Sequence, residues 1–582
     1  MHSHNYDKFP EIAVPHYDNH AWQGWSSVVQ ELSTQLSGRK KTVVVIDCYP
    51  GVRLDEIANG LFSALNATLT LNVETARHNE QDLHHLLARN LTDDRVFGVL
   101  SCHQLSEFFI ANKLAELRQQ VTSHQGELVI VYGPGAALVC SGDVLIYADM
   151  PRWEIQRRMR SGELGNWGVE NQNEDMLRRY KRAFFVEWRV FDRHKTPLLK
   201  QMDYLLDTTV ADSPVMVSGE GLRAGLQHVT HRPFRVVPFF DPGVWGGQWM
   251  KEKFCLSADA PNYAWGFDCV PEENSLLLRF GNIRIEIPAQ DLVLLHPRQL
   301  LGEKVHARFG AEFPIRFDFL DTMGGQNLSF QVHPLTEYIQ QHFGMHYTQD
   351  ESYYILDAEP GAKVYLGRKT GSDPQALLDD LHAAQRGEKS FDDDRFVNQI
   401  PARKHDHFLI PAGTMHCSGA GTVVLEISAT PYIFTFKLWD WGRLGLDGQP
   451  RPVHLEHGAQ VIDWERDTQW VKTNLVNRIE PLANGDGWRE ERTGLHEREF
   501  IETRRHWFSQ PVLHNTHGGV NVLNLVEGEE ILVDSPSNAF APFTVHFAET
   551  FIIPASVGEY RISPAGKSVG QQIATVKASV RN

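Results

Sequence analysis

Two textures of hydrophobic and polar positions divide the chain. Up to about residue 225, short apolar runs alternate with amphipathic stretches. The run Thr42–Ile46 (TVVVI) leads into Asp47, a Pro50-Gly51 turn and a helical stretch from Leu54. A second run, Glu127–Tyr132, meets a Gly133-Pro134-Gly135 turn. A third, Asp143–Ala148, precedes a basic helix from Trp153 to Arg160. Short apolar strands alternating with helices predict a parallel sheet with helices on its faces. The stretch from Glu174 to Arg193 predicts a long helix. From about residue 233, strand-like runs, turns and aromatics dominate, as in Asn282–Pro288 (NIRIEIP) and Thr422–Ile427 (TVVLEI). Helical stretches shrink to insertions, one over Asp373–Lys389. Beyond about 450, short strands recur at Val520–Val526, Glu530–Val533 and Thr550–Ile553. Many short strands with Gly/Pro turns predict a jelly roll or related barrel, and two such regions suggest a duplicated one.

The expected organisation is therefore an α/β domain over residues 1–225, a β-barrel domain over 233–450 with a helical insertion near 370–400, and a second β domain over 451–582. A chain of 582 residues exceeds one hydrophobic core, which agrees with several domains. The net charge of −17 disfavours nucleic acid and anionic membranes as partners. Six cysteines with no C-x-x-C pair, and no apolar signal core near the N-terminus, point to a reduced, cytoplasmic setting.

The sharpest chemical pattern is Phe330-Gln331-Val332-His333-Pro334. Residues two apart in a strand share a face, so Gln331 and His333 project together. Glu351 opens the next strand-like run, Glu351–Ile355. The turn Pro411-Ala-Gly413-Thr-Met-His416 then delivers a second imidazole. Two imidazoles, a carboxylate and an amide form an N/O donor set suited to one Zn²⁺, with positions left for water or sugar oxygens. A competing H-x-H pair, His405 and His407, precedes the Pro-Gly turn and is expected on the barrel rim.

These residues resemble the class I mannose-6-phosphate isomerase family over roughly residues 233–582. The resemblance runs through Val244–Gly247, Phe319–Asp321, Leu328–Pro334, Asp357–Gly367, the turn ending at His416, Leu425-Glu426, Trp439–Arg443 and Phe551–Ala555. It implies cupin barrels, the metal set Gln331, His333, Glu351 and His416, and a cleft faced by Glu426 and Arg443. It also implies an aldose–ketose isomerisation of a hexose phosphate through a cis-enediol. Glu426 and Lys437 are the expected catalytic residues, with Arg443 and Ser329 contacting the substrate. Two positions depart from the family pattern. Gln349 stands where a Lys is usual, and Lys437 where an Arg is usual; a Lys lacks the planar bidentate fork.

The N-terminal region weakly resembles P-loop nucleoside kinases of the uridine kinase type. The segment Val45–Gly51 lies where a phosphate loop would be, but no G-x-x-x-x-G-K-[ST] is present. Arg152, Arg157, Arg158 and Arg160 read as a solvated helix face. The expectation is a non-catalytic kinase-like module beside an isomerase. A sugar-phosphate-binding regulatory protein and a bifunctional kinase-isomerase are the alternatives.

Overall fold

The structure is a computed structural model describing residues 5–429, 434–494, 496–497 and 499–581. The chain forms two compact units. One comprises residues 11–229 and 272–296; the other comprises the segment ending at Pro10 with residues 230–271 and 297 onward. Strand Ile283–Pro288 pairs with Ser275–Phe280, which runs parallel to Glu11–Ala13. The Asn282–Pro288 run thus belongs to the N-terminal unit, not to the β-rich region as its sequence texture suggested. Its partners are distant in sequence, and a local pattern does not reveal them.

The N-terminal unit is built on a seven-stranded sheet. Its order is Ala21–Gln23, Val215–Ser218, Tyr204–Asp207, Val144–Asp149, Thr42–Cys48, Leu128–Gly133, Leu69–Asn72. The last five are mutually parallel, and the first two are antiparallel additions. Val44, Ile46, Ile130, Ile146 and Leu206 pack against Val28, Leu32, Ile57 and Leu61 from two helices. The long helix is present as Met176–Arg182 and Trp188–Leu198, joined by a π-helical turn at Ala183–Glu187.

Near its end, strand Thr42–Cys48 carries an acid in the segment where a phosphate loop would lie. Asp47, fully buried, accepts the amides of Gly135 (3.0 Å) and Ala137 (2.9 Å) and pairs with His194 at 2.8 Å. The arginine helix is a solvated face only in part: Arg157 and Arg160 are exposed, whereas Arg152 and Arg158 are buried. Arg158 is fully buried and donates to Glu154, Gly51 O and Thr208 O; Arg152 is buried between Asp192 and Glu272. Burial at this cost is met by near-complete pairing.

The other unit holds two pairs of antiparallel sheets. In the first pair, six strands run His407–Ile410, Glu351–Ala358, Thr422–Ser428, Arg316–Asp321, Trp265–Cys269, Phe239–Asp241. The five opposite them run Val397–Pro401, Lys363–Arg368, His416–Ser418, Phe330–Val332, Phe436–Trp439. The helical insertion is Pro374–Gln385, capped by Asp373, which accepts the amide of Ala376 at 2.8 Å. In the second pair, six strands run Glu480–Gly485, Trp488–Gly494, Ile501–Phe508, Ile573–Val580, Asn521–Glu527, Thr550–Ile553. The four opposite are Val512–Asn515, Glu559–Pro564, Glu530–Asp534, Phe543–His546. Phe508, Leu523, Leu525, Ile531, Val533 and Phe551 fill the apolar end of this second barrel. No helix among the described residues is long and apolar enough to cross a membrane.

Candidate metal centre

Strand register assembles the site. Phe330–Val332 lies between His416–Ser418 and Phe436–Trp439, with Gln331 opposite His416 on one side and Lys437 on the other. Cross-strand partners share a face, so His416, Gln331 and Lys437 stand in a row. His333 follows two residues on. From the facing sheet, Glu351 opens its strand, while Tyr353 pairs with Glu426 and Glu426 with Asp318.

The two faces meet at one point. His333 Nε2 lies 3.1 Å from Glu351 Oε2, and His416 Nε2 lies 2.8 Å from Glu351 Oε1. All three residues are completely buried. Their ligand atoms lie within 4.8 Å of one another, a spacing able to hold a metal ion. The amide nitrogen of Gln331 reaches His416 Nε2 at 3.3 Å. A half-turn of that amide presents its oxygen instead.

The outer contacts orient both rings. His333 Nδ1 donates to the Phe434 carbonyl at 2.8 Å, and His416 Nδ1 donates to the Thr414 carbonyl at 2.8 Å. With Nδ1–H spent on carbonyls, each ring turns Nε2 toward the carboxylate, as metal-binding histidines do. Neither His333 Nε2 nor Glu351 Oε1 is aligned as a hydrogen bond, despite the short separations. A buried carboxylate bracketed by two imidazole nitrogens needs positive charge at its centre, from protons or from a cation. The donor set fits a divalent ion that accepts N and O ligands. Burial raises the Glu351 carboxyl, but His333 and His416 outweigh it and hold the group well below the ordinary range. Burial lowers His333, and Glu351 outweighs it in turn, leaving the imidazole above its usual value.

Around this centre sit groups that sequence reading had flagged and others it had missed. Gln349 donates to Glu351 Oε2 at 2.8 Å and to Glu426 Oε1 at 3.2 Å, and accepts from the Phe434 amide at 3.0 Å. The residue that departs from the family pattern therefore bridges two buried carboxyls. Glu426 is raised well above the carboxylate range by burial, then by Asp318 and Glu351. Tyr353 is fully buried on the same face, and its hydroxyl has no hydrogen-bond partner among the described residues. Period-two alternation from Glu351 would have marked Tyr353 as inward.

Ser329 and Arg443 converge elsewhere, on Asp440. Ser329 Oγ donates to Asp440 Oδ1 at 3.1 Å. Arg443 pairs with the same carboxylate and donates to the Asn327 carbonyl at 2.7 Å. Arg451, which the sequence did not single out, pairs with the other Asp440 oxygen. Burial raises Asp440, but Arg451, Lys437 and Arg443 outweigh it and lower the group. Lys437, Arg443 and Arg451 thus surround a single acid. His405 and His407 stay outside the metal cluster: His405 pairs with Glu527, and His407 is buried in its strand opposite Tyr354.

The chain is similar to mannose-6-phosphate isomerases. It is 27% identical over 221 residues to the mannose-6-phosphate isomerase of Streptococcus mutans serotype c, covering 38% of this chain and 64% of that protein. To mannose-6-phosphate isomerase ManA of Bacillus subtilis it is 25% identical over 236 residues, covering 40% and 69%. The match thus spans about two thirds of each relative's length. The crystal structure of a Bacillus subtilis mannose 6-phosphate isomerase aligns at 18% identity and TM-score 0.48, over 60% of this chain and 99% of that one. Residues 24–231 match a family described as a domain of unknown function, DUF8485.

Proposed function

We propose that this chain is a metal-dependent aldose–ketose isomerase of a hexose phosphate, interconverting mannose 6-phosphate and fructose 6-phosphate through a cis-enediol. The observation that carries the proposal is the convergence of His333 and His416 on Glu351, in a chain similar to isomerases of that name. Gln331, His333, Glu351 and His416 would hold the ion, with Zn²⁺ the best match to two imidazoles, a carboxylate and an amide. When bound, the metal supplies Lewis acidity toward sugar oxygens.

The chain's own residues do the rest. Glu426, whose carboxyl is raised by burial and by its neighbouring acids, would hold a proton and exchange it with a sugar oxygen. Gln349 fixes Glu426 relative to Glu351. Lys437, next to Gln331 on the sheet, supplies a point charge for the phosphate or for a developing oxyanion. Arg443 and Arg451 gather with it around Asp440, and Ser329 would donate to a phosphate oxygen only by releasing its bond to that carboxylate.

A coupled assay following fructose 6-phosphate formed from mannose 6-phosphate, before chelation, after it and after Zn²⁺ is restored, tests this reading. Turnover that disappears and returns supports it. Hexose phosphate binding without turnover would make the protein a sugar-phosphate sensor, and neither binding nor turnover would overturn the proposal.

A further inference from the structure

The turn that delivers His416 is held by a residue outside the barrel strands. It runs from Pro411 to Met415, between strands His407–Ile410 and His416–Ser418. Gly413 takes φ +86, and a Cβ there would meet the Val461 carbonyl at 3.0 Å. Only glycine adopts that backbone cheaply at so close an approach. The turn reaches the proposed metal set at three points. The Thr414 carbonyl accepts from His416 Nδ1 at 2.8 Å. The Gly413 amide donates to the His333 carbonyl at 2.9 Å. The Ala412 amide donates to Asp350 Oδ1 at 2.8 Å, and Asp350 immediately precedes Glu351. The backbone around both imidazoles and the carboxylate is therefore tied to one turn.

Arg466 closes that turn from 52 residues beyond Thr414. Its Nη1 donates to the Pro411 and Ala412 carbonyls, both at 2.7 Å, and to Thr414 Oγ. Thr414 Oγ spends its own hydrogen on the Pro411 carbonyl at 2.6 Å, which leaves its lone pairs to the guanidinium. Arg466 Nε pairs with Asp463 at 3.1 Å, and the Asp463 amide donates to the Gly413 carbonyl at 2.9 Å. The guanidinium also lies over the Trp470 ring, 5.4 Å from its centroid. The side chain is buried, and burial lowers its pKa below the usual arginine value. A buried charge is costly unless its donors are met, and here the oxygens of the turn meet them. The segment carrying Arg466 lies between helices Leu455–Val461 and Thr468–Asn474, which follow the last strand of the first barrel.

We propose that Arg466 is a positioning residue for the metal centre. By clamping Pro411, Ala412 and Thr414 it fixes the Thr414 carbonyl, and that carbonyl fixes the direction of His416 Nε2. Arg466 contacts no ligand atom itself, so its effect is on how tightly, and in what geometry, an ion is held. This inference rests on the metal-centre reading given above.

Co²⁺ titration of the full-length, chelator-stripped chain tests it, read by visible absorption and by competition with a chromophoric chelator. Co²⁺ accepts N and O ligands as Zn²⁺ does, and its visible bands report their arrangement. Arg466→Met is unbranched and apolar, and it removes the donor from the turn. Binding should weaken by about 10–100-fold, the usual cost of losing an outer-shell partner. The Co²⁺ bands should shift, while the far-ultraviolet circular dichroism of the metal-free protein stays at the wild-type value. Thr414→Val keeps the Thr414 carbonyl but removes the hydroxyl, and it should weaken binding by about tenfold, the low end of that range. Wild-type affinity and bands in a folded Arg466→Met overturn the proposal, even where its denaturation midpoint falls, because a purely structural role moves only the midpoint. If Arg466→Met does not fold, wild-type Co²⁺ binding in Thr414→Val overturns it instead. A wild-type chain that takes up no Co²⁺ overturns the metal reading and this inference with it, a result distinct from uptake that the variants leave unchanged.

Discussion

Gln349 donates its side-chain N–H to the Glu351 carboxylate across 2.8 Å. One amide thereby fixes the acid at the centre of the proposed metal set, and its second contact, to Glu426, ties that acid to the carboxyl proposed to hold the proton. A Lys here would bring a full charge between two buried acids. The amide instead donates to both without adding a charge. Gln349→Leu should keep the fold, since the site is enclosed by paired strands, but loosen metal binding. Loss of such an outer-shell partner typically costs about 10–100-fold in affinity. Competition against a chromophoric chelator measures it, and unchanged affinity would remove Gln349 from this role.

Glu426→Gln is the cleanest separation of chemistry from packing. A neutral carboxyl and an amide have nearly the same shape and hydrogen-bonding reach, so unfolding midpoint and metal content should stay at wild-type values. Turnover should fall by about 100-fold or more, the usual share of a positioned acid–base group. Wild-type kcat in this variant would assign the proton transfer to another residue.

Lys437 carries the second departure from the family pattern. Lys437→Ala should lower kcat/KM for a hexose phosphate by about 100-fold, near 2.7 kcal/mol at 1.36 kcal/mol per decade. Lys437→Arg should retain most of it, because charge at this place in the row matters more than the fork. If Ala and Arg behave alike, the cation has no role in the reaction.

The pH dependence of stability has a marker in the second barrel. The Glu490 carboxyl is held down at about 2 by hydrogen bonds from His506 and Arg504, against the burial that raises it. A depressed carboxyl stabilises the fold above its ordinary range, and that contribution disappears as pH falls from about 4.5 toward 2. Denaturation midpoints should therefore drop over this window in the wild-type chain. In Glu490→Gln they should start lower at pH 7 and fall less. Parallel curves for the two proteins would show that the pairing is not expressed in stability.

The convergence of His333, Glu351 and His416, with Gln331 beside them, was legible because its pieces carry local signatures. Gln331 and His333 alternate on one strand end, and His416 follows a Pro-Gly turn that aims it inward. The parallel sheet was legible for a similar reason, since TVVVI and its counterparts are apolar on both faces. What local pattern does not contain is long-range pairing. It could not show that Asn282–Pro288 returns to the N-terminal unit, that Arg158 is buried on Gly51 and Thr208, or that Asp440 gathers Ser329, Arg443 and Arg451. Each depends on a partner tens to hundreds of residues away. Tyr353 was within reach of strand alternation.

The account rests on a cation between two sheets, and elemental analysis of the purified full-length chain tests it most directly. About one divalent ion per chain is expected, the content of a single closed site. It should be lost in His333→Ala and in Glu351→Gln while the far-ultraviolet circular dichroism stays unchanged. A metal-free protein that binds no added Zn²⁺, or one whose metal survives both substitutions, would contradict it.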